Sequence, residues 1–104
     1  MKKINPVEAQ VLVGKGEVVV LDVRTLAEFA EGHIAGAKNI DIYSDEFSEA
    51  VRTLPADATY VVNCRSGARS SQACSFMEEL GFRNVMNLEG GIMAWMSAGL
   101  ATEK

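Results

Sequence analysis

The sequence is short of several things, and each shortage removes a class of function. No apolar run approaches the ~20 residues that cross a bilayer; the most apolar stretch, residues 17–23, is brief and carries Glu17 and Asp22. A membrane-spanning helix is not expected. Lys2 and Lys3 are followed by Glu8 and Gln10 rather than by the apolar core of a signal peptide, so the chain reads as cytoplasmic. Cysteine occurs only at Cys64 and Cys74 and histidine only at His33, too few for a disulfide framework and without metal-ligand spacing. A bound metal is not expected. Positive charge is also scarce: ten Lys and Arg against fourteen Asp and Glu leave a net charge of −4, which argues against the basic surface that nucleic-acid binding requires.

What is present is enough for one core. Apolar residues fill 48% of the 104 positions, and without a composition shift or linker they make one domain over residues 1–104. Asn5-Pro6-Val7-Glu8 combines a cap residue, proline at the first helical position and Glu three residues on, so a short helix should run to Gly14. Residues 17–23 are largely β-branched, as in a strand covered on both faces. Thr25 and Glu28 form a second capping box, for a helix stopping near Gly32, and residues 37–42 suit a shorter strand. Ser44 is a cap for a helix bearing Phe47, Ala50, Val51 and Leu54, with Pro55 as its stop. Residues 59–63 read as a central strand. Residues 70–80 place Ala73, Phe76, Met77 and Leu80 on one helical stripe, residues 84–88 form a further strand, and a last helix over residues 92–98 closes at Gly99. Alternating strands and helices need crossover connections, hence an α/β fold with a mostly parallel sheet flanked by helices. Ligands of such sheets bind beyond the carboxyl ends of the strands, which directs attention to the loop after Asn63.

That loop is Cys64-Arg65-Ser66-Gly67-Ala68-Arg69. Its amides can converge on the cysteine sulfur, the following helix N-terminus is partly positive, and two arginines add full charges, so the Cys64 pKa should fall below the ~8.5 of a free thiol. Gly67 supplies a backbone conformation that other residues adopt only with strain. A thiolate nucleophile, with residues 65–69 as its anion-binding cradle, is the chemistry this pattern serves.

Three blocks of the sequence, in order, resemble the signatures of single-domain rhodaneses. The first is Val20-Leu21-Asp22-Val23-Arg24 with Glu28-Phe29, Gly32-His33-Ile34, Gly36-Ala37 and Asn39-Ile40; the second is residues 64–70; the third is Leu88-Glu89-Gly90-Gly91-Ile92 with Trp95. Ala35 departs from the proline usual after the His-Ile pair, a difference of loop stiffness rather than of chemistry. The resemblance implies a three-layer rhodanese-like domain in which Cys64 takes a sulfane sulfur from a small anionic donor such as thiosulfate, holds it as a persulfide and yields it to cyanide or a thiol. Arg65, Ser66, Gly67, Ala68 and Arg69 would bind the donor and cradle the persulfide. A thiol-carrying redox protein is a further candidate acceptor, and no cofactor is implied. Phosphatases and arsenate reductases of similar fold have a loop one residue longer, whereas four residues separate Cys64 from Arg69 here. The other alternative is a non-catalytic binding or sulfur-carrier module, which usually lacks the cysteine.

The remaining polar residues read as structural. Asp22 could pair with an arginine, and Arg24 and Glu28, four apart, suggest a local ion pair. Glu89 is a candidate partner for Arg69. His33 suits a hydrogen-bonding role rather than a general base, Cys74 a buried thiol, Trp95 an apolar plug over the sheet, and residues 102–104 a frayed end. Oligomeric state is not legible, since no heptad appears.

Overall fold

A computed structural model describes residues 1–104. The elements are β1 (Lys2–Ile4), α1 (Pro6–Gly14), β2 (Val19–Asp22), α2 (Leu26–Glu31), β3 (Lys38–Asn39), α3 (Phe47–Arg52), β4 (Thr59–Asn63), α4 (Ala68–Glu79), β5 (Asn84–Leu88) and α5 (Gly91–Ser97). The sheet runs in the order β1-β5-β4-β2-β3, and every neighbouring pair is parallel. No helix is long and apolar enough to cross a membrane.

Side-chain alternation along the central strands supplies two cores, one per face. Leu21, Val23, Tyr60 and Val62 point to one side, where they meet Phe47 and Val51 of α3 and Ala73, Cys74 and Met77 of α4. Val20, Val61 and Leu88 point to the other, against Ala9 of α1, Trp95 of α5 and Ile34. Trp95 is the expected plug, and its indole N–H donates to the Ala101 carbonyl at 2.9 Å.

Both capping boxes form as the sequence requires, Asn5 with Glu8 and Thr25 with Glu28. The differences lie at element ends. β1 is an extra edge strand, hidden in the sequence because Lys2 and Lys3 are the charged residues that protect a sheet edge from further pairing. β3 is only two residues long. Ser44 caps the turn before α3 rather than the helix itself: its Oγ accepts from Glu46 N–H at 3.1 Å, and Glu46 is the N-cap. α4 starts at Ala68, two residues ahead of the expected Ser70, because Gly67 serves as its N-cap. Residues 102–104 do not fray. His33 and Glu103 exchange backbone hydrogen bonds of 2.8 Å in both directions, so the chain end is stitched to the loop after α2.

The strand order places the site. After β2 the chain moves outward to β3, and after β4 it moves the opposite way to β5, so the carboxyl ends of β2 and β4 flank a topological switch point. The loop at residues 64–67 leaves β4 there, and residues 23–25 leave β2 beside it.

Candidate active site

Cys64 lies at the end of β4 and is 1% exposed. The chain then turns so that the Gly67 N–H donates to Cys64 Sγ at 3.0 Å, and Ser70 Oγ, on the first turn of α4, sits 3.3 Å from the same sulfur. Gly67 has φ +120°, in the left-handed region that a side chain disfavours, which is why this turn needs glycine. Burial pushes the Cys64 thiol up, but hydrogen bonds from the Ser70 hydroxyl and from the backbone N–H groups of Ser70, Gly67 and Ser66 outweigh it, leaving the thiol below its ordinary value. The direction is the expected one. The cause is hydrogen bonding more than the arginine charges, for a reason that lies with Arg69.

Arg69 is already engaged. Its Nη1 and Nη2 donate to the two carboxylate oxygens of Glu28 at 2.7 and 2.9 Å, a bidentate pair that spans α4 and α2. This corrects two expectations: Arg69 pairs with Glu28 rather than Glu89, and Arg24 pairs with Asp22 rather than Glu28. Arg24 Nε and Nη2 grip the Asp22 carboxylate, with the shortest contact 2.7 Å, and Nη2 also donates to the Gly32 carbonyl at 2.8 Å. On the loop itself the Arg65 side chain is exposed and makes no hydrogen bond or ion pair, and Lys3, also exposed and unpaired, stands on the loop's outer wall beside Ser66 and Gly67. Arg65 borders a cavity of about 310 Å³, together with Arg24, Glu28, Gly32, Met93 and Met96. Ser66 and Ala68 are exposed.

The hydrogen bond from Arg69 holds the Glu28 carboxyl down at about 2. A depressed carboxyl contributes stability that is present above its unfolded pKa and lost as pH falls through the folded one. Glu28→Gln should therefore lower stability at neutral pH and flatten the loss between about pH 4.5 and 2, as thermal unfolding against pH would record. A wild-type acid transition retained in the variant would contradict this.

The loop is also held from below by α5. Ile92 and Met93 N–H donate to the Cys64 and Arg65 carbonyls at 2.9 and 3.1 Å. The contact is close because residue 91 lacks a side chain: a Cβ there would stand 2.4 Å from the Arg65 oxygen and 2.6 Å from the Cys64 oxygen, at φ +62°. Gly91→Ala should thus displace both carbonyls. The left-handed backbone alone costs ~1–2 kcal/mol, so the unfolding midpoint should fall by at least ~5 °C, with Cys64 reactivity falling too. An unchanged midpoint and an unchanged alkylation rate would show that the loop gives way freely.

One group at the sulfur and one behind it escaped the sequence reading of the site. Ser70 is in the quoted loop block but reads locally as a helix start. Asn87 lies in β5, 7% exposed, and its Oδ1 accepts from Ser70 Oγ at 2.5 Å while its Nδ2 donates to the Gly67 carbonyl at 3.2 Å. A polar residue between Met86 and Leu88, in the buried half of the strand, was the available signal. The structural readings of His33 and Cys74 agree with their surroundings. His33 stacks on Phe29 with ring centroids 3.7 Å apart, its Nδ1 lies 2.8 Å from the Phe29 carbonyl, and its Nε2 lies 3.6 Å from Glu103 Oε1. Cys74 is fully buried, and burial pushes its thiol up to about 12.

A cysteine at the mouth of a parallel sheet, ringed by amides, is compatible with several families, and comparison with known proteins decides among them. The family model described as the rhodanese-like domain matches residues 5–98. The chain belongs to the rhodanese-like family. This rhodanese-like domain is 39% identical over 92 residues to a sulfurtransferase of Allochromatium vinosum, covering 88% of the chain and 84% of that protein. It is 38% identical over 96 residues to the thiosulfate sulfurtransferase GlpE of Pseudomonas fluorescens, covering 92% and 85%. Among solved structures, the rhodanese-related protein of Thermoplasma volcanium superposes with a TM-score of 0.90 at 34% identity, covering 99% of this chain and 98% of that one. The rhodanese-like fold, a parallel sheet between helix layers, is thereby established, and relatives named as sulfurtransferases set the kind of activity.

Proposed function

We propose that this rhodanese-like domain is a sulfurtransferase that carries a sulfane sulfur from a small anionic donor, such as thiosulfate, to a thiol or cyanide through a persulfide on Cys64. The observation that carries the reading is the sulfur itself, held by the Gly67 N–H at 3.0 Å and the Ser70 hydroxyl at 3.3 Å, with its pKa below the ordinary thiol value. The Cys64 thiolate attacks the outer sulfur of thiosulfate, the new S–S bond forms as the old one breaks, and sulfite leaves with that bonding pair. The charge then resides on the outer persulfide sulfur, within reach of the loop amides of residues 65–69. An acceptor thiolate next attacks that outer sulfur, and Cys64 departs as the thiolate, ready for another cycle. Small thiols and thiol-carrying proteins meet the same requirement as acceptors.

Phosphoryl or arsenate chemistry fits less well. The loop-end arginine that would hold a tetrahedral oxyanion is committed to Glu28, and the ring of amides is a residue short. Arg65, free and exposed on the loop itself, is the cation that recruits the donor. Arg65→Ala should raise the KM for thiosulfate by roughly three- to tenfold while changing that for an uncharged sulfane-sulfur donor, such as a neutral organic trisulfide, little. Equal losses with both donors would remove Arg65 from donor recruitment.

The test of the whole reading is the intact mass of reduced protein after incubation with thiosulfate, then with cyanide. A gain of one sulfur that cyanide reverses, with thiocyanate released, supports it; no gain with thiosulfate or with a persulfide donor overturns it.

A further inference from the structure

Ser70 Oγ carries a single hydrogen and faces three acceptors. Asn87 Oδ1 lies at 2.5 Å, the Gly67 carbonyl at 3.2 Å and Cys64 Sγ at 3.3 Å. The Asn87 amide has no freedom to turn around, because its Nδ2 donates to the Gly67 carbonyl at 3.2 Å and a flip would set two oxygens against each other. Oδ1 therefore competes with the sulfur for the Ser70 hydrogen.

From this geometry we infer that Asn87 is a positioning residue that acts on Cys64 through Ser70, taking the hydroxyl hydrogen whenever Sγ is uncharged and releasing it when charge returns to Sγ. The inference rests on the sulfur-transfer reading above for its place in a cycle. In the thiol state, Cys64 S–H donates to Ser70 Oγ and Ser70 O–H donates to Asn87 Oδ1, so each hydrogen has an acceptor. When the thiol proton leaves to solvent, the hydroxyl rotates to the anionic sulfur and gives up Asn87. In the persulfide, Sγ is bonded to two atoms and is a poor acceptor, and the hydroxyl hydrogen returns to Asn87. As Cys64 leaves in the second transfer, its charge draws the hydrogen back. Ser70 is thus satisfied at every stage, a requirement for a hydroxyl that is fully buried.

The consequence is a pair of opposite shifts at one sulfur. Ser70→Ala removes the hydroxyl donor and moves the Cys64 titration upward. Asn87→Ala removes the competitor and moves it downward, each by on the order of half a pH unit or more. In a Ser70→Ala background, Asn87→Ala should move it no further. The charged and titratable neighbours stay the same throughout: Arg65 on the loop, the Arg69–Glu28 and Asp22–Arg24 pairs, Cys74 of α4, and Lys3 and Glu89 beside Asn87 on the outer wall of the loop.

The experiment is the rate of iodoacetamide alkylation at Cys64, read by peptide mass across pH, for wild type, both single variants and the double variant. Circular dichroism checks folding, and Asn87→Ser, with a side chain too short to span to Ser70, stands in if alanine does not fold. Opposite shifts, with Asn87 silent in the Ser70→Ala background, support the inference. Shifts of the same sign, or an Asn87 effect that survives without Ser70, overturn it and leave Asn87 a loop brace. Persulfide formation by the wild type is measured alongside. Its failure would overturn the sulfur-transfer reading and leave the alkylation result to stand on the geometry alone.

Discussion

Cys64→Ser is expected to reduce sulfur transfer to background, a fall of at least a thousandfold or so, while the protein remains folded. Serine is nearly isosteric, and the two partners of the sulfur, the Gly67 N–H and the Ser70 hydroxyl, can serve an oxygen as readily. What is lost is the anion: a hydroxyl in this cradle stays protonated at neutral pH. The companion variant makes the result specific. Cys74 lies on α4 in the same core, fully buried, with its thiol pushed up to about 12, so only ~1 in 100,000 of it would be thiolate at pH 7. Cys74→Ser should therefore retain most of the activity and form the persulfide normally. A folded but inactive Cys74→Ser, or a Cys64→Ser that still gains sulfur, would each break the single-cysteine scheme. Because the Cys64 pKa is lowered, the rate of persulfide formation should also rise with pH and level off earlier than for an ordinary thiol.

How much of this could be read in advance depends on the distance over which each signal acts. The strand at residues 59–63 and both capping boxes were legible because β-branched runs and N-cap chemistry are encoded within a few neighbouring residues. The loop was legible for the same reason, since Cys64, Gly67 and the amide that meets the sulfur lie within one turn. β1 was not, because three residues with two exposed lysines carry no hydrophobic period. The side-chain partners were illegible for a different reason. Glu28 and Arg69 are 41 residues apart and Ser70 and Asn87 are 17 apart, so their meeting depends on β4 lying between β2 and β5, which only the sheet order supplies. Local spacing made Arg24 and Glu28 look like a pair. The structure instead gives each a partner determined by the fold, Asp22 across one residue of extended backbone and Arg69 across the site. The same holds for His33 and Glu103, whose bridge joins segments far apart in sequence.

The largest stability loss is expected from Asp22→Ala. Asp22 is wholly buried, and its carboxylate accepts from Arg24 N–H at 3.0 Å, from the Arg24 guanidinium at 2.7 to 3.1 Å, and from Asn63 Nδ2 at 3.3 Å. Removing it leaves the Arg24 guanidinium, 5% exposed, with only the Gly32 carbonyl as a hydrogen-bond partner. Breaking one side of a buried pair costs ~3–5 kcal/mol, a large part of the ~5–15 kcal/mol that holds a domain together. The unfolding midpoint should drop by roughly 15 °C or more. The damage extends toward the sulfur: Asn63 Oδ1 already lacks a partner, so losing Asp22 weakens the hold on the residue immediately before Cys64. Removing the stranded charge should recover stability, because a buried pair replaced by apolar side chains often costs little. Asp22→Ala with Arg24→Met is therefore expected to be more stable than Asp22→Ala alone, a non-additivity that thermal unfolding of the four proteins in the cycle would measure. If Asp22→Ala melts within a few degrees of wild type, the pair is a passenger at the switch point rather than its brace. If the double variant is the least stable of the four, the cost lies in lost packing and not in an unpaired charge.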